Sequence, residues 1–150
     1  DNPLTDPEIV DAVVNLAVTT KCDYAANHLH RTFPLGYVVE VISADTLLNI
    51  ARHAQSSDDR EHVTWHVYKN PQNFDTKNLS SPPDLEHPDW RLTVDTREDL
   101  ELMRLIFKAL YKQDTYIRYE DVVKLICKNP SLLRINSHVQ QRLLNTPHHN

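Results

Sequence analysis

Arg91-Leu92-Thr93-Val94-Asp95-Thr96-Arg97-Glu98-Asp99-Leu100 is the stretch whose reading decides the fold. A short β-prone run ends on an acidic residue, and a periodic helix begins immediately after it. Apolar residues recur at Leu100, Met103, Phe107 and Leu110, and Leu102, Leu105 and Ile106 widen the stripe. That is the period of a helix with one buried face. Thr96 or Asp95 supplies its cap, while Glu98 and Asp99 lie in a first turn that favours negative charge. Asp95 is therefore expected at the carboxyl end of a strand, where open α/β sheets bind ligands. Its alternative reading is a plain cap or turn residue.

Outward from this junction the chain alternates helix and strand signals. Asp6-Pro7-Glu8 predicts a helix start, with Asp6 as cap and Pro7 at the first helical position. Ile9, Val10, Val13, Val14, Leu16 and Ala17 form its apolar side. Cys22 to Ala25 predicts a short strand, and Arg31-Thr32-Phe33-Pro34-Leu35-Gly36 a loop. Tyr37 to Ile42 predicts a strand apolar enough to be covered on both faces, which makes Glu40 conspicuous. Ser43 caps a helix from about Ala44 to His53, and Arg60 to Tyr68 predicts another, ended by Asn70-Pro71. Phe74 to Leu79 is a further strand candidate. Tyr119 to Cys127 and Ser131 to Ile135 close the helical part. One domain is expected over residues 1–135, with residues 136–150 as a tail that frays from Asn145 to Asn150. Expected core residues are Ile9, Val13, Val39, Val41, Leu47, Val94, Leu102, Ile106 and Leu125.

The 150 residues suffice for one domain with a core of its own. The formal net charge is -5 at pH 7, without a basic cluster to follow a phosphate backbone, so a nucleic-acid partner is not expected. No apolar run is long enough to predict a membrane span, and no leader pattern is read at the start. Cys22 and Cys127 lack metal or disulfide spacing and read as reduced, buried thiols of a cytoplasmic protein. Gly36 is the only glycine, where roughly ten would be average. A phosphate-cradling glycine loop is thus absent from this sequence.

Three acidic residues carry the candidate chemistry: Asp1, Glu40 and Asp95. Mg²⁺ takes oxygen ligands, often one or two carboxylates completed by phosphate oxygens and waters. Glu40 in a buried strand would need a partner, for which Arg31, Arg60 or His62 are available. His62 and His66 stand four apart, but without an intervening glutamate and a third ligand they do not make a zinc hydrolase motif.

The series Asp1-Asn2-Pro3-Leu4-Thr5-Asp6-Pro7, Asp23-Tyr24-Ala25-Ala26-Asn27, Arg31 to Gly36 and Val39-Glu40-Val41-Ile42 continues through Arg60-Glu61-His62-Val63-Thr64 and Tyr68-Lys69-Asn70-Pro71. It ends in Trp90 to Asp95 and Glu98-Asp99-Leu100. In order and spacing, this series resembles the cytidylyltransferases that make CMP-activated acidic sugars, in the spore-coat-polysaccharide branch.

The resemblance implies an α/β, nucleotide-diphospho-sugar-transferase-like fold, with a mainly parallel sheet flanked by helices. It also implies that the amino-terminal half, which grips the CTP triphosphate, is missing here, so that this chain alone would not turn over CTP. It further implies transfer of CMP from CTP to a sugar, with pyrophosphate released. Asp1 and Asp95 would hold Mg²⁺, and Arg31 would contact an acidic sugar. Glu40, His62, Thr64 and Lys77 would be candidates for the acceptor pocket, and a homodimer the expected assembly. Leu35 departs from the Asp or Gly of related segments, removing a polar group near that pocket. A catalytically silent binding protein and a glycosyltransferase of similar fold are the alternatives.

Overall fold

The computed structural model describes residues 1–53 and 64–140. Asp6 opens helix α1 (Pro7–Thr20): its Oδ1 accepts the Glu8 N–H at 2.9 Å, with Pro7 beginning the helix where no N–H is needed. Lys21, in the left-handed conformation, ends it. Strands β1 (Tyr24–Ala26), β2 (Glu40–Ile42) and β3 (Thr76–Asn78) form a three-stranded sheet in the order β2-β1-β3. Helices α2 (Ala44–His53) and α3 (Trp65–Lys69) come between β2 and β3. Helices α4 (Arg97–Leu110) and α5 (Tyr119–Lys128) follow, and a short 3-10 turn covers Pro130–Arg134.

The α/β class holds, but the sheet is mixed rather than mainly parallel. β1 pairs parallel with β3 and antiparallel with β2. The run before Asp95 is not a strand either. Leu92 N–H bonds to the Leu35 carbonyl at 2.7 Å and Leu35 N–H to the Trp90 carbonyl at 3.0 Å, which makes an isolated parallel bridge between Leu35 and Arg91. Beyond it Val94 turns to Asp1 instead of continuing along one neighbour, so no ladder forms.

The sheet is covered on both faces because β1 alternates. Ala25 packs with Val13 of α1 and Cys22, while Tyr24 and Ala26 pack with Ile50 of α2 and Val67 of α3. A larger cluster joins Leu92 to Leu102, Met103 and Ile106 of α4, and to Val122 and Ile126 of α5. Ile9, Val13, Leu102 and Ile106 are buried as expected. Val39, Val41, Val94 and Leu125 pack against the core at partial exposure. Leu47 is a correction. On α2 the buried pair is Thr46 and Ile50, one turn apart, and this register leaves Leu47 37% exposed. Both cysteines are free; Cys22 is buried, but Cys127 is exposed on α5.

Gly36 explains its own rarity. Its φ is +110°, and a Cβ there would stand 2.3 Å from the Leu92 carbonyl oxygen. Glycine lets the 33–37 loop lie directly on the 91–93 backbone.

Candidate functional site

Asp99 anchors the decisive stretch. It is fully buried, and Arg91 grips it with two parallel bonds, Nε to Oδ1 at 3.0 Å and an Nη2 bond to Oδ2 at 2.9 Å. Asn136 donates to Oδ1 at 2.8 Å, and the N–H groups of Asp95 and Thr96 donate to Oδ2, each at 3.1 Å. Thr96 Oγ1 accepts the Asp99 N–H, completing a capping box. Burial pushes the Asp99 carboxyl upward, but Arg91, Asn136 and the two backbone N–H groups outweigh it and hold it well below the usual carboxylate range. Sequence reading saw Asp99 only as a first-turn acid. The eight-residue separation from Arg91 crosses from extended chain to helix, so no single periodicity reveals the pair.

This frame holds Asp95 and Asp1. Arg91 Nη2 also contacts Asp95 Oδ2 at 2.6 Å, yet the Asp95 side chain is half exposed. The Asp1 carbonyl accepts the Val94 N–H at 2.7 Å and the Thr93 hydroxyl at 3.0 Å. The two residues thus lie on adjoining backbone, both open to solvent. A cleft of about 330 Å³ opens beside Asp1, lined by Pro3, Val94, Leu100, Met103, Arg104 and Phe107. Among the described residues no cluster of three or more His, Cys, Asp or Glu side chains forms a metal cage. Two exposed carboxylates still suit Mg²⁺, whose remaining positions go to water and phosphate.

A second polar group gathers at one edge of the sheet. In register, Ala26 faces both Glu40 and Asn78, so Glu40 stands at the carboxyl ends of the parallel strands β1 and β3. Glu40 lies at an exposed strand end rather than in a covered strand, and its partners are not the Arg31 expected; Arg60 and His62 lie outside the described residues. Its Oε1 accepts from the hydroxyls of Tyr24 (2.6 Å), Tyr68 and Thr64 (3.2 Å). His28 Nε2 lies 3.5 Å from the same oxygen and contacts the Tyr68 hydroxyl.

Burial lowers the His28 pKa against the pull of Glu40, so the ring is neutral at pH 7. Burial also raises the Tyr24 and Tyr68 phenols, and their bonds to Glu40 reinforce this; both stay protonated as donors. Because Tyr68 spends its proton on Glu40, His28 Nε2–H donates to Tyr68. Among the described residues the buried His28 Nδ1 then has no hydrogen-bond partner.

The structure therefore joins Glu40 to Thr64 and holds Asp1 next to the Asp95 strip. It joins Arg31 to neither group: Arg31 is exposed, in the loop that follows β1. Lys77 pairs with Asp75 at 2.5 Å on the surface. Sequence reading missed Tyr24, His28 and Tyr68. Tyr68 lies 44 positions from Tyr24 and 40 from His28, and only the folded sheet brings them together. Among the described residues no helix is long and apolar enough to cross a membrane.

No family model matches the chain. It is 33% identical over 142 residues to an uncharacterized protein of Methanocaldococcus jannaschii, an alignment covering 95% of this chain and 56% of that protein. It is 31% identical over 132 residues to the spore coat polysaccharide biosynthesis protein SpsF of Bacillus subtilis, covering 87% and 53%. The chain thus spans about half the length of the curated relatives it matches. Its structure aligns with a cytidylyltransferase from Leptospira borgpetersenii at a TM-score of 0.81 and 25% identity, over 97% of this chain and 58% of the other. The chain has the α/β fold of a cytidylyltransferase.

Proposed function

We propose that this chain is part of a nucleotidyltransferase that moves CMP from CTP to an acidic sugar, releasing pyrophosphate, in polysaccharide biosynthesis. The observation that carries this reading is the 2.7 Å bond from Val94 N–H to the Asp1 carbonyl, which keeps two exposed carboxylate residues on adjoining backbone. Likeness to SpsF and to the Leptospira cytidylyltransferase supports the reaction class.

Asp1 and Asp95 would hold Mg²⁺, which supplies charge stabilisation at the phosphoryl oxygens and orients the attacking hydroxyl. Arg91 steadies Asp95 from behind through Oδ2, and Asp99 in turn fixes Arg91. The carboxylate is thus aimed before substrate arrives, which is how electrostatic stabilisation avoids a reorganisation cost.

The test is pyrophosphate release by the full-length protein from CTP, Mg²⁺ and an acidic sugar. Asp95→Asn should lower turnover by roughly 100-fold or more. Consumption of a preformed nucleotide sugar in place of CTP would instead identify a glycosyltransferase. Sugar binding with neither reaction would identify a silent binding protein.

A further inference from the structure

The Glu40 cluster is built in a way that internal packing alone does not require. Three hydroxyls converge on one carboxylate oxygen, Oε1. Among the described residues Oε2 takes no hydrogen bond, and the side chain is one-third exposed. A carboxylate with one oxygen locked and the other unbonded among the described residues is a preorganised acceptor for hydroxyl donors. Beside it stand the rings of Tyr68 and of His28, whose Nε2 is 3.5 Å from Oε1, and the Trp65 ring packs on Tyr68 with 6.4 Å between centroids.

Position supports a ligand role as well. Glu40 sits at the carboxyl ends of β1 and β3, the edge where α/β sheets receive ligands. The loop after β1 leads from this edge to Leu35, which bridges Arg91, the residue that holds Asp95. One continuous segment thus connects the cluster to the carboxylates of the proposed reaction.

We infer that Glu40, fixed by Tyr24, Thr64 and Tyr68, binds vicinal hydroxyls of the acceptor sugar, taking its uncharged polyol portion and leaving the sugar's carboxylate elsewhere. This rests on the nucleotidyl-transfer reading for the identity of the ligand as an acceptor. The sign of the charge carries the orientation. A carboxylate repels the sugar's own carboxylate and accepts from its hydroxyls. Arg31, exposed in the adjoining loop, is left to meet the opposite charge.

The experiment uses the full-length protein with two probes, N-acetylneuraminate and the same sugar shortened at its glycerol tail by periodate cleavage and reduction. Binding is read by saturation-transfer NMR and turnover by pyrophosphate release. Wild type should bind the intact sugar more tightly than the shortened one. Glu40→Ala should weaken the intact sugar by about tenfold or more and erase the preference, with the KM for CTP unchanged. Glu40→Gln keeps an oxygen for the three hydroxyls and so preserves the fold; it should weaken the intact sugar to a smaller extent.

Equal binding of the two sugars by wild type, no sugar binding at all, or a preference that survives in both variants would overturn the inference. Tail-dependent binding lost in the variants but without pyrophosphate release in wild type would defeat the reaction and keep the site. Pyrophosphate release indifferent to Glu40 would defeat the site and keep the reaction.

Discussion

Arg91 and Asp99 form the one fully seated ion pair of the described chain, a two-bond clasp whose carboxylate has no solvent exposure. Its neighbours satisfy the remaining lone pairs, so the charge is buried without being orphaned. Removing one partner reverses that. Asp99→Ala removes the acceptor shared by the Arg91 guanidinium, the Asn136 amide and two backbone N–H groups, leaving Arg91 its bond to Asp95 and Asn136 its bond to the Arg91 carbonyl. The expected loss is about 3–5 kcal/mol, a large part of a total stability of roughly 5–15 kcal/mol. Chemical denaturation of wild type and variant measures it.

The same clasp sets a pH dependence. The native carboxyl of Asp99 titrates well below the 3.8 expected for the unfolded chain. A group whose native pKa is depressed contributes fully above its unfolded pKa and loses that contribution as pH falls towards the native value. Stability should therefore be insensitive to Asp99 from about pH 5 upward and decline below about pH 4. In Asp99→Asn this acid-side slope should be shallower. Urea midpoints collected across roughly pH 2.5 to 7 read the difference.

Asp95 answers to different physics. It is half exposed, and its bond to Arg91 lies at the surface. Exposed pairs of this kind contribute about 0–1 kcal/mol. Asp95→Asn should hence leave the unfolding free energy within about 1 kcal/mol of wild type while suppressing pyrophosphate release. A large stability loss would mark Asp95 as an anchor and remove it from the reaction.

Gly36→Ala should be costly despite adding one methyl group. The Cβ would meet the Leu92 carbonyl oxygen at 2.3 Å, at a φ of +110° that an L-residue avoids. The backbone strain alone is worth about 1–3 kcal/mol, and relief by moving the loop would break the Leu35–Arg91 bridge. A lowered thermal midpoint, together with slower pyrophosphate release, is the expected outcome.

These cases show what the sequence makes legible. The helix starts at Asp6-Pro7, Ser43 and Thr96 were readable because a cap acts within three residues of itself; Ser43 Oγ accepts the Thr46 N–H at 3.1 Å. Apolar Leu92 to Val94 reads as a strand, but strand formation depends on a partner ladder that local sequence does not encode. Here Leu35 and Asp1 each offer bonds to only part of the run. Glu40 stood out as a charge in an apolar run, yet its partners Tyr24, Thr64 and Tyr68 are 16, 24 and 28 positions away. Asp1 and Asp95 were named through family resemblance, and only the fold puts Asp1 beside Val94.

Asp6 gives the last prediction, because one side chain serves two helices. Its Oδ1 caps α1 through the Glu8 N–H at 2.9 Å, and its Oδ2 accepts the buried Tyr119 N–H at 2.7 Å, at the start of α5. Two positive helix ends thus share one negative charge. Asp6→Ala removes both caps, each worth about 0.5–2 kcal/mol, and strands the Tyr119 donor away from water. The loss should fall near about 2–4 kcal/mol. Asp6→Asn keeps a single acceptor oxygen and should lie between wild type and alanine.

Nearby Glu8, which meets Tyr116 and Arg118 on the exposed surface, provides the contrast. Glu8→Ala should cost far less than Asp6→Ala, because solvent screens an exposed pair. Equal losses for Asp6→Ala and Glu8→Ala would show that α1 and α5 are held together by their apolar contacts rather than by the shared cap.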